Sequence, residues 1–345
     1  MRLWPTSMKA PGRSPHARRT RLVSAVLAGL GPLLLVAGCN PMSPLSSGPS
    51  GTVVTVAAVP DIANATLYLA MQDQLFKKAG ITVKLRRYAT VSRAMAALNS
   101  GTANIAAADY GDIFFSQAAA QTPIYKVLAD GYDAAPGVIE IMTVPSAHIA
   151  NPGQLANQTI AAPDDEQVSA PPGAPSSLAI ATASSVLQGY GVNLAGVNWK
   201  PMPHQDEIKA LLNGQVKAIL VSGLDVYLAQ QQGAIELIDA CSGATAGIPL
   251  AGYITTKSWA TDNASAVTAF QSALSQASVQ AAMPGPVQAL LPDYTGLTQQ
   301  QAQLVTTGVY PLSTIPASLQ RTADLMNLQG MIRYRLNVAK MIARL

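Results

Sequence analysis

Twice in this chain the same order of segments recurs: a helix-forming run closed by Asn and Gly, a short apolar strand, an acidic loop, then another helix-forming run. Met95-Ala96-Ala97-Leu98-Asn99-Ser100-Gly101 leads into one apolar stretch and Asp109, and Lys209-Ala210-Leu211-Leu212-Asn213-Gly214 leads into another and Asp225. Strand and helix in alternation fold as a mainly parallel sheet covered by helices. The other segments keep the rhythm. Residues 52–58 are Val-rich with few polar positions, as suits a buried parallel strand. Asp61-Ile62-Ala63-Asn64 supplies N-cap side chains, and Leu67, Met71 and Leu75 follow at helical spacing. Lys77 and Lys78 fill the last turn and Gly80 stops the helix. Residues 81–86 alternate as a half-exposed strand does, Ser92 is expected to cap a short helix, and 104–108 form the next strand. In the second half, strands at 158–162, 197–202 and 217–221 alternate with helices that start near Ser176-Ser177, at Gln205 and after Ser222-Gly223-Leu224-Asp225. Ligands in such sheets sit beyond the carboxyl ends of the strands. Two facing lobes of this build place two rims around one cleft, and binding there needs no catalytic residue.

The first 38 residues are of another kind. Arg2, Lys9, Arg13, Arg18, Arg19 and Arg21, with no acid among them, precede an apolar run that ends in Leu33-Leu34-Leu35-Val36-Ala37-Gly38-Cys39. The run from Leu22 contains Pro32 and falls short of the about 20 apolar residues that a membrane span needs. Residues 1–38 therefore read as a signal peptide. The small residues before Cys39 match a bacterial lipobox, so Cys39 is expected to carry a diacylglyceryl group and to moor the chain on the extracytoplasmic face of the cell membrane. An uncleaved anchor with an incidental cysteine is the competing reading. Arg18-Arg19 leaves the export route open between the general and twin-arginine pathways. Residues 39–51 are rich in Pro, Gly and Ser and read as a flexible tether. The two acyl chains hold far better than one.

Charge follows the same division. Of 22 Lys and Arg residues six belong to the leader, which leaves 16 against 18 acids, a formal −2. The pI of 9.0 thus belongs to the leader, and a nucleic-acid partner loses its support. With Cys39 lipidated, Cys241 is a lone thiol that closes an apolar run, and it reads as a small buried core residue. Hydrophobic residues make up 49% of the 345, enough for a large core split into two lobes.

Asn64-Ala65-Thr66-Leu67-Tyr68-Leu69-Ala70, Leu75-Phe76-Lys77-Lys78-Ala79-Gly80-Ile81, Ala97-Leu98-Asn99-Ser100-Gly101, Asn151-Pro152-Gly153-Gln154-Leu155 and residues 211–225 stand in a telling order and spacing. Together they resemble the substrate-binding proteins of ABC importers in the sulfonate/nitrate/taurine group, which includes thiamine-pyrimidine binders. The resemblance implies an α/β two-lobe clamp of the periplasmic-binding-protein type II fold, each lobe a doubly wound, mainly parallel sheet, with two hinge crossovers near 138–144 and 249–256. Lobe 1 would hold 52–144 plus 249–345, its C-terminal helices packed mainly on that lobe, and lobe 2 would hold 145–248. It further implies ligand contacts from Asn64, Thr90, Ser92, Asp109 and Tyr110 in lobe 1. In lobe 2 it implies Gly173, Ser176, Ser177, Ser222, Asp225 and Tyr227. Helix N-termini at such positions carry about half a positive charge, and small hydroxyl residues let an anion approach.

The chain also departs from that pattern. Leu224 stands where an aromatic is common and Val226 replaces a proline. The loop before Ser176 is enlarged and carries Asp164-Asp165-Glu166 and Pro171-Pro172. Near a cleft mouth these carboxylates oppose an anion; elsewhere they are a solvated run. Arg93 is the one strong cation in these segments and reads equally well as a surface arginine. These departures favour a neutral or zwitterionic ligand over a bare anion. The resemblance implies a monomeric, lipid-anchored solute-binding protein without cofactor. It would deliver a sulfonate-, taurine-, nitrate- or pyrimidine-like molecule to the permease and ATPase of an ABC importer.

Catalysis has thin support. His148 and His204, the two histidines outside the leader, read as loop residues, and with one thiol they make a poor zinc site. Asp164-Asp165-Glu166 lacks calcium-loop spacing. No nucleophile elbow, phosphate loop or dinucleotide fingerprint occurs. Pyrimidine-precursor synthases of the thiamine pathway share the fold and form the enzyme alternative, but the iron-dependent ones carry a cysteine-rich motif that this chain lacks. A sensor that presents ligand to a membrane receptor fits the sequence as well as an importer subunit does.

Overall fold

In the computed structural model the residues described are 51–120, 122–164 and 176–343. The leader, Cys39 and all but the last residue of the tether lie outside them, as do Asp165, Glu166, Pro171, Pro172 and Gly173. The described residues form ten strands. These are β1 (Thr52–Ala58), β2 (Ile81–Arg87), β3 (Ile105–Asp109), β4 (Tyr125–Asp133), β5 (Ile139–Thr143), β6 (Thr159–Pro163), β7 (Asn198–Met202), β8 (Ala218–Ser222), β9 (Ile235–Asp239) and β10 (Pro249–Thr256). They make two five-stranded sheets, ordered β2-β1-β3-β10-β4 and β7-β6-β8-β5-β9.

The two orders are the same pattern. Each sheet has three parallel strands, with the first-made in the middle, then one antiparallel strand sent across from the other lobe, then an outer strand paired antiparallel to it. Lobe 1 receives β10 and lobe 2 receives β5. The inner strands are apolar because helices cover both faces: Ile105, Ala106, Ala107 and Ala108 of β3 and Ala218, Ile219, Leu220 and Val221 of β8 are all buried. The edge strand β2 alternates buried and open positions, as its sequence predicts. Pro201 falls on β7, the other edge, where no further strand asks for its missing N–H.

The helices follow their caps, with two changes from the sequence reading. Thr90, not Ser92, caps the helix Val91–Asn99; its Oγ1 accepts the Arg93 N–H at 3.3 Å. The helix expected to run from Asn64 to Lys78 is split into Ala65–Gln72 and Leu75–Lys78 by Gln74, which takes a left-handed conformation (φ 56°). Beside the break, Asp73 accepts a hydrogen bond from Gln280 Nε2 at 2.6 Å. The chain passes between the sheets at 134–138 and 240–248, adjoining the segments 138–144 and 249–256, which themselves hold the exchanged strands β5 and β10.

The C-terminal helix Ala264–Ala281 lies on lobe 1, where Phe270 stacks on Phe76 at 5.2 Å. The helix Pro316–Leu328 packs on Tyr110–Ala120 and β10 of lobe 1 and also touches Leu178–Gly189 of lobe 2. Its Arg321 donates to the carbonyls of Ala244 and Ala246 in the second crossover, at 3.1 and 2.9 Å. No helix among the described residues is long and apolar enough to cross a membrane.

Candidate functional site

The loops that leave β1, β2 and β3 in lobe 1 and β6, β7 and β8 in lobe 2 all meet at one cleft of about 600 Å³. All six are carboxyl ends of parallel strands, the position where a doubly wound sheet leaves helix N-termini and loop side chains to converge. Tyr132 from β4, Val138 and Ile139 at the first crossover, and Leu250 and Ala251 of β10 close its back.

Six of the residues singled out from sequence line this cleft: Asn64, Thr90, Ser92, Asp109, Ser177 and Ser222. Several are also committed to their own loops. Asn64 Nδ2 donates to the Val59 carbonyl at 3.0 Å, and Ser177 Oγ accepts the Ile180 N–H at 3.2 Å as the cap of Leu178–Gly189. Asp109 is exposed at the end of β3.

The others lie apart from the lining. Tyr110 is fully buried beneath it and its hydroxyl donates to Asp130 Oδ1. That hydrogen bond opposes, without cancelling, the burial that pushes Asp130 up to about 6. Tyr227 is buried at 5% exposure, and Ser176 is half-buried beside Ser177. Asp225 stands one residue behind the wall, its Oδ2 3.1 Å from Nδ1 of His204, which does line the cleft.

His204 corrects the sequence reading. It is the first residue of the helix His204–Leu212, not a loop residue, and it projects at the rim. The position directly after Pro203, at the carboxyl end of β7, was the available signal. Asp61, Asp112 and Asp164 also line the cleft. Asp61 is read from sequence as a cap and it is one, accepting the Ala63 N–H at 2.9 Å. Burial raises its pKa above the ordinary carboxylate value, Asp225 across the cleft raises it further, and His204 opposes both. Asp61 belongs to lobe 1 and the other two to lobe 2, so the lobes feel each other's charge at this point.

Cys241 is away from the lining, 1% exposed, and burial pushes its thiol up to about 12. His148 is likewise outside the lining, ending a short turn with φ 55°. Among the described residues no three His, Cys, Asp or Glu side chains gather as a metal ion would require. The lining offers hydroxyls, carboxylates, an imidazole and backbone groups around a space suited to a small polar molecule.

A family model described as "NMT1/THI5 like" matches residues 62–289. No curated protein matches the chain. Among solved structures, the alkanesulfonate-binding protein SsuA of Xanthomonas axonopodis pv. citri, bound to MOPS, is similar with a TM-score of 0.64 at 19% identity, over 85% of this chain and 99% of that one. The periplasmic aliphatic sulphonate binding protein SsuA of Escherichia coli gives 0.67 at 16%, over 85% and 98%. The ligand-binding component of an ABC-type import system from Staphylococcus aureus, with zinc bound, gives 0.66 at 12%, over 85% and 96%. At these identities the likeness is one of fold.

Proposed function

The chain belongs to the NMT1/THI5-like family, and on that premise we propose that it is a solute-binding protein working outside the cytoplasm. It captures one small polar molecule between its lobes and presents the closed form to the permease of an ABC importer, whose ATPase drives uptake. The observation that carries this reading is the convergence of six strand-end loops, three from each lobe, on one cleft. Contacts to the solute are assigned to Asn64, Thr90, Ser92 and Asp109 on one side and to Ser177 and Ser222 on the other. Asp225 acts through His204. Tyr110 and Tyr227 support the site from the core, and Ser176 flanks Ser177. Diacylglyceryl at Cys39 tethers a monomer to the membrane through residues 39–51.

The full chain is titrated with a panel of small polar solutes, neutral and charged, while its melting is followed. A true ligand at 100 times its dissociation constant adds about 2.7 kcal/mol of stability. Ser92→Ala and Ser222→Ala, one in each lobe, are each expected to weaken that ligand about fivefold, the equivalent of one lost hydrogen bond of about 1 kcal/mol. A ligand indifferent to both substitutions binds outside the cleft, and the reading fails.

A further inference from the structure

Among the described residues, no Lys or Arg lines the cleft. Besides Tyr132, its ionisable side chains among the described residues are Asp61, Asp109, Asp112, Asp164 and His204. Residues 165–175, which follow Asp164 in the chain, contain Asp and Glu but no basic residue. Arg93, the cation nearest in sequence, is exposed outside the lining and spends its backbone N–H on the Thr90 cap. Asp109, Asp112 and His204 take part in interactions of their own; Asp61 and Asp164 add charge from opposite lobes.

Helix N-termini are the usual remedy when an anion must be held without basic side chains. Here three of them carry acids of their own, while the helices Val91–Asn99 and Leu178–Gly189 have none in their first turn. Asp112 sits in the first turn of Tyr110–Ala120, Asp206 and Glu207 in that of His204–Leu212, and Asp225 in that of Leu224–Gln231. Each terminus offers about half a positive charge, and each of these carboxyl groups competes with a ligand for it. The hydroxyls of Thr90 and Ser177 accept N–H groups of their own helices. A sulfonate entering this space meets carboxylates of both lobes and, among the described residues, no Lys or Arg side chain to offset them. Burial is what chiefly raises the pKa of Asp61, and Asp225 of the facing lobe adds to it. Aromatic walls are sparse: among the described residues Tyr132 is the one Phe, Tyr or Trp in the lining. A quaternary ammonium would find no cage, whereas an N–H-bearing cation finds acceptors on both sides.

We propose that the interlobe cleft selects a small organic cation carrying N–H donors, a primary amine or a guanidine, in place of a sulfonate or other anion. This rests on the capture reading above and fixes the charge class of its solute.

The test measures binding of putrescine, agmatine and ethanesulfonate to the full chain by calorimetry and by melting. At least one of the two cations is expected to bind, with affinity that falls as salt is raised, while ethanesulfonate leaves the protein unchanged. Asp61→Asn, which keeps an acceptor for the Ala63 N–H, and Asp164→Asn are each expected to weaken the cation about tenfold or more. Ethanesulfonate bound in preference to both cations, with the affinity sensitive to Ser92→Ala and Ser222→Ala, overturns the charge assignment and leaves capture in the cleft standing. Cation binding indifferent to all four substitutions overturns the cleft itself as the site. Failure of both cations to bind overturns the assignment, and the neutral arm of the panel then decides the capture reading separately.

Discussion

A side chain at position 252 has nowhere to go. Gly252 lies where β10 passes over Tyr110, and a Cβ there would meet the phenol hydroxyl directly and the Ala129 carbonyl oxygen at 2.9 Å. The Tyr110 hydroxyl is fixed by Asp130, so it has little room to yield. Gly252→Ala is expected to cost about 1–3 kcal/mol, the range for overpacking a core, read as a lowered urea midpoint with unchanged slope. An unaltered midpoint would mean that Tyr110 is mobile. The same tyrosine shows why some site residues were misplaced from sequence. Asp109 ends β3 exposed at the cleft, and Tyr110, the first residue of the helix that follows, is buried in the core. Tyr227 follows Asp225 by two helical positions, about 200° around the axis, and is turned inward. That second placement follows from periodicity once the helix bounds are known to the residue. His204 could not be found that way, because its role depends on Asp225 across a loop and on Asp61 in the other lobe.

At the scale of elements, the two passages between lobes are flanked by carboxyl groups. Asp133 ends β4, Glu140 lies in β5 opposite Asp239, and Asp239 ends β9. Asp133 Oδ1 and Glu140 Oε2 are buried without a hydrogen-bond partner. Burial pushes Asp133 up to about 7, with Asp130 adding to the effect, and pushes Glu140 up to about 7, with Glu236 and Asp239 adding to it. In the unfolded chain these groups lose their protons near pH 4. The folded state therefore keeps more protons between about pH 4 and 7, and linkage makes stability fall as pH rises through that window. The slope approaches about 1.4 kcal/mol per pH unit for each such group. Melting is expected to be higher at pH 5 than at pH 7.5, and Glu140→Gln should flatten the difference. A flat profile in the unsubstituted chain would mean that water or motion relieves these carboxyls. Asp324, held low by Arg335, works the other way, but below pH 4 and near the surface where solvent screens it. The inner parallel strands and their helices were legible because Val- and Ala-rich runs end in Asn, Gly or Ser caps. The insertion of β5 and β10 was not. Their apolar runs look like any other, and only pairing with residues far away in the chain decides which sheet receives them.

For the whole molecule, one close approach of the lobes at the cleft depends on the absence of a side chain. Gly111, the second residue of the lobe 1 helix Tyr110–Ala120, lies against Leu178, the first residue of a lobe 2 helix; an added Cβ would stand 3.2 Å from Leu178 Cβ and 3.3 Å from its backbone nitrogen. Gly111→Leu is expected to hold the lobes apart. The radius of gyration in solution scattering should rise and ligand affinity should fall several-fold, with helix content preserved. Unchanged scattering would show that this contact does not limit closure. Arg321 and Thr322 bind the second crossover from behind, at Ala244, Ala246 and Pro249, so opening has to carry or bend that helix. The strand exchange has a further meaning for a chain made from one end. Lobe 2 owns every strand it needs between Ile139 and Asp239, whereas lobe 1 waits for Pro249–Thr256 to fill the gap between β3 and β4. The portion synthesised first is thus the portion completed last, and a chain cut short before β10 would carry a finished second half beside a first half with two raw edges.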